Sequence, residues 1–228
     1  MSEMIPQDLI LILSGVPCVG KTTTAYNLIK NISEFRRVSE LDIIRTVVRA
    51  TIKNLAKDPE AEAALVQDKY KALFSSLAEN DLDIAKQQSC LLIPYVKEIV
   101  CRQQRRKIPT IIEGASIIPS TYFENGYPIK GFEKNILFIN LFLSNGTEHY
   151  NRRVKRCLER DYKKSNDSIK EEIEIIRKNK NLELHCETVE LSKTATNVFS
   201  IDIANMNEFE LLNNVAEIIH NSFKSYSE

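Results

Sequence analysis

Short apolar runs alternate with amphipathic segments along this chain. The first run, Leu9 to Leu13, has five branched apolar residues in succession, which is typical of a parallel strand buried on both faces. Four later apolar segments predict further strands, at 35–40, 109–114, 135–143 and 197–203. Helical spacing predicts helices at 21–31, from 41 onward, and at 58–66, 81–107, 147–161, 168–191 and 207–223. Strands that alternate with helices predict a three-layer α/β fold with a parallel five-stranded sheet.

Pro94 interrupts the longest helical pattern, and we expect it to kink or split that helix. The pattern ends in a basic cluster at 102–107. Such a cluster could be a nucleic-acid patch. A solvated helix end that complements the negative end of the helix dipole is the favoured interpretation.

Composition places the chain among ordinary globular proteins. Of its 228 residues, 43% are apolar and 27% are charged, which is enough material for one substantial core. No internal repeat or low-complexity linker marks a boundary, so we expect a single domain over 1–228. Basic and acidic residues number 31 each, and the lack of a basic excess argues against nucleic acid as a main partner.

Targeting features favour a cytoplasmic protein. The first eight residues hold acids and no basic segment, so we expect no cleavable signal sequence. No apolar run approaches the length that crosses a bilayer, and no membrane partner is expected. Five scattered cysteines without a C-x-x-C pair indicate free thiols in a reducing compartment.

The first strand runs directly into the pattern Gly15-x-x-x-x-Gly20-Lys21-Thr22, and a predicted helix follows. This strand–loop–helix context is the setting of a phosphate-binding P-loop. Glycines let the loop wrap closely, its N–H groups turn toward an anion, and the helix adds its positive end. We expect Lys21 to reach the β- and γ-phosphates of ATP and the Thr22 hydroxyl to bind Mg²⁺. The residues predicted to bind nucleotide are Gly15, Val16, Pro17, Cys18, Val19, Gly20, Lys21, Thr22 and Thr23.

Two carboxylates are expected near the P-loop, because the carboxyl ends of parallel strands share one edge of a sheet. Asp42 follows the second strand, where it could orient or deprotonate an acceptor hydroxyl, cap its helix, or do both. Glu113 ends a buried strand, where an unpartnered carboxylate is costly. It could hold Mg²⁺ through water, contact the acceptor, or form a structural ion pair. Arg45 and Arg49 share a helix face and could grip an anionic substrate group or form a solvated face.

A helical lid is predicted at about 144–190, where basic side chains are dense. Arg152 and Arg156 share a helix face, and they are the catalytic candidates for neutralising charge as the γ-phosphoryl group moves. Closure of such a lid would also exclude water from the site.

Other basic residues of this region are weaker candidates. Arg153 and Arg160 are interpreted as surface charge. His149 could be a locally hydrogen-bonded histidine or a catalytic one, and the two interpretations are equally supported. Arg177 could be a second lid arginine.

Other nucleotide-binding classes fit less well. A GTPase needs Asn-Lys-x-Asp for guanine, and the nearest match, Asn179 to Leu182, lacks the aspartate and lies in a predicted helix. A motor-type or AAA-type ATPase needs a longer chain and an apolar run that ends in two acids, whereas this run ends in Glu113 alone. A small-molecule kinase remains.

Taken together, the motifs resemble the P-loop kinases grouped with archaeal 2-phosphoglycerate kinase and, more distantly, the zeta-toxin-type kinases. The order and separation of the motifs fit that family. The matching pieces are Ser14 to Thr22, Asp42-x-x-Arg45 with Arg49, Ile111 to Gly114 with Ile117 to Pro119, His149-x-x-Arg152-x-x-x-Arg156, and Ile175 to Arg177.

This chain departs from the family pattern mainly on the presumed acceptor side. The pattern tends to have histidine where this chain has Ser116, glycine where it has Ser120, and glycine or serine at Cys18. The resemblance therefore supports ATP-dependent phosphoryl transfer better than it supports 2-phosphoglycerate as the acceptor. The substrate-binding residues expected on this basis are Asp42, Arg45, Arg49, Glu113, Gly114 and Ser116.

Two hypotheses from different classes follow. The first is a cytosolic kinase that moves the γ-phosphoryl group of ATP, with Mg²⁺, to a hydroxyl of a small, anionic acceptor. A zeta-toxin-like acceptor such as a nucleotide sugar is the alternative within that class. The second is a regulatory or scaffolding protein that binds nucleotide without a small acceptor. The set Asp42, Arg45, Arg49 and Glu113 favours the kinase, since a regulator has no reason to gather these side chains at the strand ends.

Overall fold

Five parallel strands form the central sheet of the computed structural model, which describes residues 5–55, 70–75, 82–160, 166–177 and 183–223. The order across the sheet is β2-β3-β1-β6-β7, and a separate short hairpin pairs β4 with β5. The predicted parallel five-stranded sheet is confirmed. The strands are β1 (Ile10–Gly15), β2 (Arg37–Glu40), β3 (Thr110–Gly114), β4 (Phe123–Glu124), β5 (Tyr127–Pro128), β6 (Ile136–Phe142) and β7 (Val198–Asp202).

Helices pack on both faces of the sheet, which confirms the predicted three-layer arrangement. No helix within the described ranges is both long and apolar enough to cross a membrane. All five cysteines lie in those ranges and are free thiols. The helices are α1 (Lys21–Asn31), α2 (Leu41–Leu55), α3 (Lys71–Phe74), α4 (Leu82–Arg105), α5 (Gly146–Arg160), α6 (Asn166–Arg177), α7 (Glu183–Ser192) and α8 (Glu208–Phe223).

The apolar run at 9–13 is continuous because β1 is covered on both faces. Its odd-numbered side chains share a core with Leu28 of α1 and Val215 of α8. Its even-numbered side chains share a second core with Val48 of α2 and Val96 of α4. Every side chain of this run is fully buried. Each such burial contributes roughly 1.5–3 kcal/mol, so β1 anchors both layers.

The strand register brings the expected site segments to one edge of the sheet. Ser14 of β1 is level with Gly114 of β3 and with Asn140 of β6. Glu40 of β2 is level with Glu113 of β3. The P-loop after β1 and the start of α2 after β2 therefore leave the sheet at the same carboxyl edge, where parallel α/β sheets bind ligands.

Two helical predictions differ from the structure. Pro94 lies inside α4, which is continuous rather than split. Pro94 and Cys90, whose carbonyl loses its helical partner, are both exposed, so water can satisfy that carbonyl. The pattern at 168–191 is divided between α6 and α7. Residues 178–182 lie outside the described residues, as does the helix predicted at 58–66.

The hairpin of β4 and β5 was not predicted, although the sequence contains a local signal for it. Asn125 and Gly126 connect the two strands, with φ of 52° and 82°. A two-residue type I′ turn needs positive φ at both central positions, and Asn-Gly is the pair that adopts it most readily. The preceding 3₁₀ helix, Pro119–Tyr122, buries Tyr122 against Phe132 and Phe138.

Candidate functional site

The loop between β1 and α1 has the backbone that a P-loop requires. A Cβ atom at Gly15, where φ is 141°, would lie 2.3 Å from the carbonyl oxygen of Leu141 in β6. Gly20 has φ of 83° at the N-cap of α1. Only glycine meets the first condition without displacing β6. The two glycines therefore fix where the loop leaves the sheet and where the helix begins.

Cys18 occupies a left-handed backbone position in the middle of this loop, with φ of 69°. A residue with a Cβ atom pays roughly 1–2 kcal/mol for that conformation, and glycine does not. The thiol is partly exposed and lines the cavity in front of the loop. The backbone at this position is therefore one that glycine adopts more readily than cysteine.

Lys21 is nearly buried, with 7% of its surface exposed. Its Nζ donates a 2.9 Å hydrogen bond to the Val16 carbonyl, across the loop. Burial lowers the pKa of Lys21 to about 8, against the opposing pull of Glu113 and Asp42. A buried ammonium with a neutral carbonyl as its hydrogen-bond acceptor is well placed to exchange that partner for a phosphate oxygen.

The side chains of Thr22 and Glu113 form a direct hydrogen bond. The Thr22 hydroxyl donates a 3.1 Å hydrogen bond to Glu113 Oε1. Burial raises the pKa of Glu113, while Lys21 and the Thr22 hydroxyl act in the opposite direction. The carboxylate is 6% exposed, so an unpartnered charge there would be costly.

A hydroxyl and a carboxylate are hard oxygen donors of the kind that Mg²⁺ prefers. The described residues hold no cluster of three or more His, Cys, Asp or Glu side chains that could bind a metal by themselves. Magnesium commonly uses one or two protein oxygens together with substrate phosphates and water. Thr22 and Glu113 fit that mode of binding.

Asp42 and Arg49 line the cavity from α2, two turns apart with Thr46 between them. Asp42 is exposed in the first turn of the helix. The Arg49 guanidinium lies 5.1 Å from the centre of the Phe74 ring, which orients it without occupying its N–H donors. Both side chains can therefore reach a bound molecule.

Arg45 also lines the cavity, but two of its five N–H donors are engaged within the protein. Its Nε donates to the carbonyl of Leu73 at 3.1 Å, and its Nη2 donates to the carbonyl of Ser75 at 2.6 Å. Burial lowers the pKa of Arg45, and the nearby Arg49 adds to that effect. Arg45 ties the end of α3 to α2, so its capacity for an acceptor anion is smaller than expected.

Gly114 and Ser116 were expected to bind the acceptor, but their contacts in the structure are internal. A Cβ atom at Gly114 would lie 2.7 Å from Cβ of Leu41, so this glycine admits the close approach of α2 to β3. Ser116 is fully buried, and its hydroxyl donates a 2.7 Å hydrogen bond to Gln88 of α4. Both residues serve internal packing in this structure, and the cavity lining passes through Ala115 instead.

Helix α5 faces the P-loop through a stripe of buried residues, His149, Arg153 and Cys157, spaced four apart. His149 Nε2 lies 2.9 Å from the Pro17 carbonyl oxygen. Arg153 is 9% exposed and lines the cavity, as does Arg156. Within the described part of the chain, Arg153 Nη1 is buried without a hydrogen-bond partner. An anion in the cavity would satisfy that donor.

The register of α5 differs by one residue from the predicted one. Arg152, expected in the site, forms an ion pair with Glu148 of its own helix, whereas Arg153, expected at the surface, is buried. The apolar positions Tyr150, Val154 and Cys157 indicate the observed register, because at about 100° per residue they define a helix face that lies roughly 60° from Arg153 and nearly opposite Arg152.

The remaining basic candidates do not reach this cavity or cannot be placed. Arg177 pairs with Glu174 on the exposed face of α6, at 3.3 Å. The side chain of Arg160 lies outside the described residues. Glu172 of α6, which was not a candidate, lines the cavity and acts on Arg153 electrostatically.

The cavity measures about 380 Å³ and has a basic excess. Five basic side chains and three acidic ones line it, namely Lys21, Arg45, Arg49, Arg153 and Arg156 with Asp42, Glu113 and Glu172. A larger cavity of about 620 Å³ lies at the opposite edge of the sheet. Among the described residues that line it, Glu133 is the single charged side chain. The cavity at the P-loop is therefore the one suited to anions.

Comparison with known proteins gives structural similarity only. No family model and no curated protein matches the chain. Solved structures that are similar to it include an uncharacterized protein from Eubacterium ventriosum, with 13% identity, TM-score 0.42, and coverage of 94% of this chain and 99% of that one. Shikimate kinase from Acinetobacter baumannii in complex with shikimate has 12% identity, TM-score 0.46, and coverage of 96% and 95%.

The full-length tRNA isopentenylpyrophosphate transferase from Bacillus halodurans has 13% identity, TM-score 0.47, and coverage of 97% of this chain and 100% of that one. Similarities at this level do not identify a substrate or a reaction. The function must therefore follow from the chain's own residues.

Proposed function

We propose that this protein is an ATP-dependent kinase that transfers the γ-phosphoryl group, with Mg²⁺, to a hydroxyl of a small anionic metabolite. The observation that carries the proposal is Arg153, a buried guanidinium with an unpartnered N–H in the same cavity as Lys21. Leaving such a donor unsatisfied costs roughly 1–3 kcal/mol or more. A phosphate oxygen between Arg153 and Lys21 removes that cost.

The nucleotide half of the proposed site consists of the loop and its two partners. Backbone N–H groups of residues 15–23 surround the phosphates, and Lys21 contacts the β- and γ-phosphates. Thr22 and Glu113 hold Mg²⁺ together with phosphate oxygens and water. The metal supplies charge neutralisation and a fixed orientation for the phosphates.

Arg153 and Arg156 of α5 act on the group being transferred. Both line the cavity opposite α2, and their charge stabilises the negative charge on the γ-phosphoryl oxygens in the transition state. Arg153 takes the role that the helical spacing had given to Arg152. Its burial strengthens the electrostatic interaction, because water screens it less.

The acceptor half of the proposed site lies on α2. Asp42 orients the acceptor hydroxyl and accepts its proton, and Arg49 binds an anionic group of the same molecule. The basic excess of the cavity supports an anionic acceptor. A 2-phosphoglycerate-like molecule fits this description and agrees with the resemblance of the motifs, and a nucleotide sugar is the alternative acceptor.

One observation favours a second function, a nucleotide-binding regulatory or scaffolding protein. Arg45 donates to the carbonyls of Leu73 and Ser75, and Ser116 donates to Gln88. Two of the expected acceptor contacts are thereby used within the protein. A regulator would keep the nucleotide half and have no acceptor.

ADP formation from Mg-ATP, measured against a panel of hydroxy acids, phosphorylated hydroxy acids, sugars, nucleosides and nucleotide sugars, separates the two functions. The kinase proposal expects one class of acceptor to raise turnover well above slow hydrolysis, and Lys21→Ala to abolish that turnover. If no acceptor does so, and Lys21→Ala alters nucleotide binding alone, the regulatory function is the correct one.

A further inference from the structure

The side chain of His149 connects α5 to the P-loop backbone. His149 is 5% exposed, near the amino end of α5, and its Nε2 lies 2.9 Å from the Pro17 carbonyl oxygen. A carbonyl oxygen can only accept, so Nε2 carries the proton in this hydrogen bond. The partner is main chain, which means that the contact fixes a peptide plane of the loop rather than a side chain.

That peptide plane leads into the left-handed residue in the middle of the loop. It joins Pro17, whose ring fixes its own φ, to Cys18 in the left-handed region with φ of 69°. The peptide is trans, so the Pro17 C=O and the Cys18 N–H point in opposite directions. Holding the carbonyl toward His149 therefore turns the Cys18 N–H away from α5, as a donor available to a phosphate in the loop.

The same helix stripe presents Arg153 one turn later. Arg153 is buried, lines the cavity with Cys18, and has a buried N–H without a partner among the described residues. An α-helix is rigid over four residues, so the anchor at His149 sets where the backbone of Arg153 lies, and burial restrains its side chain. One hydrogen bond therefore links the position of the loop amide to that of Arg153.

We infer that His149 is a positioning residue for the triphosphate. It holds the Pro17–Cys18 peptide and Arg153 together, so that the P-loop and α5 bind phosphate as one unit. The inference rests on the part of the proposed function that concerns triphosphate binding, and it does not depend on the identity of the acceptor. It also means that α5 is anchored to the loop at its amino end.

The test compares His149→Gln with His149→Met. Glutamine places an N–H donor near the position of Nε2, whereas methionine has similar length and no donor. The affinities for Mg-ATP and for Mg-tripolyphosphate, measured by isothermal titration calorimetry, are expected to fall about 5- to 10-fold in His149→Met and no more than about twofold in His149→Gln. If the affinities for Mg-ATP and for Mg-tripolyphosphate fall by the same factor, His149 acts on binding of the phosphates and not of the nucleoside.

A double-mutant cycle tests the link to Arg153. If His149 positions Arg153, then His149→Met costs less affinity for tripolyphosphate in an Arg153→Ala background than in the wild type. Additive losses would overturn the coupling. Equal losses in His149→Gln and His149→Met would show that only burial of a ring matters, and would overturn the inference.

Nuclear magnetic resonance of the wild-type protein provides a measurement that does not depend on the folding of variants. The chain has three histidines, so the ring nitrogens of His149 can be assigned by elimination. The inference expects protonated Nε2 with a hydrogen-bonded proton shift that moves when Mg-tripolyphosphate is added. A ring protonated at Nδ1, or a resonance that tripolyphosphate leaves unchanged, would overturn it.

The inference and the kinase proposal fail in different ways. Wild-type protein that binds neither Mg-ATP nor tripolyphosphate would overturn both. Wild-type protein that binds both but phosphorylates no acceptor would overturn the kinase proposal alone, and the comparison of the two His149 variants would still decide the role of His149.

Discussion

The two halves of the cavity differ in how their polar groups are held. On the nucleotide side, Lys21, Glu113 and His149 are buried, and each has a hydrogen-bond partner within 3.1 Å. On the acceptor side, Asp42 and Thr46 are exposed on one helix. A buried, preorganised half suits a group that never varies, such as a triphosphate, and an exposed half suits an acceptor that differs between enzymes. Fold and residue chemistry therefore specify the first half much more tightly than the second.

After Lys21→Ala, replacing Arg153 should produce the largest effect on the nucleotide half. In Arg153→Ala, kcat is expected to fall by about 10²–10³-fold, because a buried charge that acts on the transferring group is lost. Arg152→Ala is the matched control on the adjacent position. It removes an exposed ion pair with Glu148 and should change kcat by no more than about twofold.

Steady-state kinetics of both variants, with ADP release as the readout, decides between the two registers of α5. Thermal unfolding of each variant shows whether the protein remains folded. Equal losses of activity in Arg152→Ala and Arg153→Ala would contradict the placement of Arg153 in the site.

Raising the pH should weaken the nucleotide half through Lys21. The pKa of Lys21 is about 8 in the nucleotide-free protein, so above pH 8 binding of a phosphate requires uptake of a proton. The Kd for Mg-ATP is then expected to rise about 15-fold between pH 8 and 9.5, with a slope that approaches about tenfold per pH unit at the upper end. Calorimetry in buffers of different ionisation enthalpy measures the proton taken up.

The contribution of Lys21 to the free energy of unfolding should increase as the pH rises, whereas the affinity for Mg-ATP decreases. The pKa of Lys21 is lower in the folded protein than its ordinary value of 10.5, so the unfolded chain binds more protons between pH 8 and 10.5. This residue therefore makes the nucleotide-free protein more stable as the pH rises. In Lys21→Arg, which keeps its charge, the affinity for Mg-ATP should be weaker but nearly independent of pH over that range.

The acceptor half can be tested by comparing a variant of Arg45 with a variant of Arg49. Arg49→Ala should raise KM for the acceptor about 10-fold and leave the unfolding free energy nearly unchanged, since it loses a ligand contact. Arg45→Ala should lower the unfolding free energy by about 1–3 kcal/mol, because two backbone carbonyls lose a charged donor. Acceptor kinetics and urea denaturation of both variants check this division, and the reverse pattern would contradict it.

The smallest effect is expected at Cys18. Cys18→Gly relieves roughly 1–2 kcal/mol of left-handed strain, and the greater entropy of the unfolded glycine chain offsets about 0.5–1 kcal/mol of this, so stability should rise by no more than about 1.5 kcal/mol. Affinity for Mg-ATP should change no more than about fivefold. Lys107→Gly, at φ of 54° and far along the chain, is the control that should gain stability without altering ATP affinity.

The features that could be predicted from the sequence are those that depend on residues close together along the chain. The P-loop depends on eight consecutive residues and on the strand and helix beside them, so its position and its glycine requirements were evident. The parallel sheet was predictable for the same reason, because each buried strand is a short continuous run. Asn125-Gly126 is an equally local signal, and it indicates the hairpin of β4 and β5.

The contacts that could not be predicted join residues that are distant along the chain. Arg45 reaches carbonyls 28 and 30 residues away, and Ser116 reaches Gln88 across the same separation of 28. His149 contacts Pro17 over 132 residues. Spacing within one helix shows which side chains share a face, but the choice between Arg152 and Arg153 depends on which face packs against the loop.

The position of β2 at the edge of the sheet has a consequence for how this protein can diversify. Within the described chain, β2 pairs only with β3, and it leads directly into α2, which carries Asp42 and Arg49. An exchange of residues 37–55 therefore disturbs one ladder of backbone hydrogen bonds, and β1 keeps its packing if the new segment retains the buried side chains of α2, such as Leu41 and Val48. Under the proposed function, a directed-evolution library confined to this segment, with those buried side chains kept, is the one expected to change the acceptor.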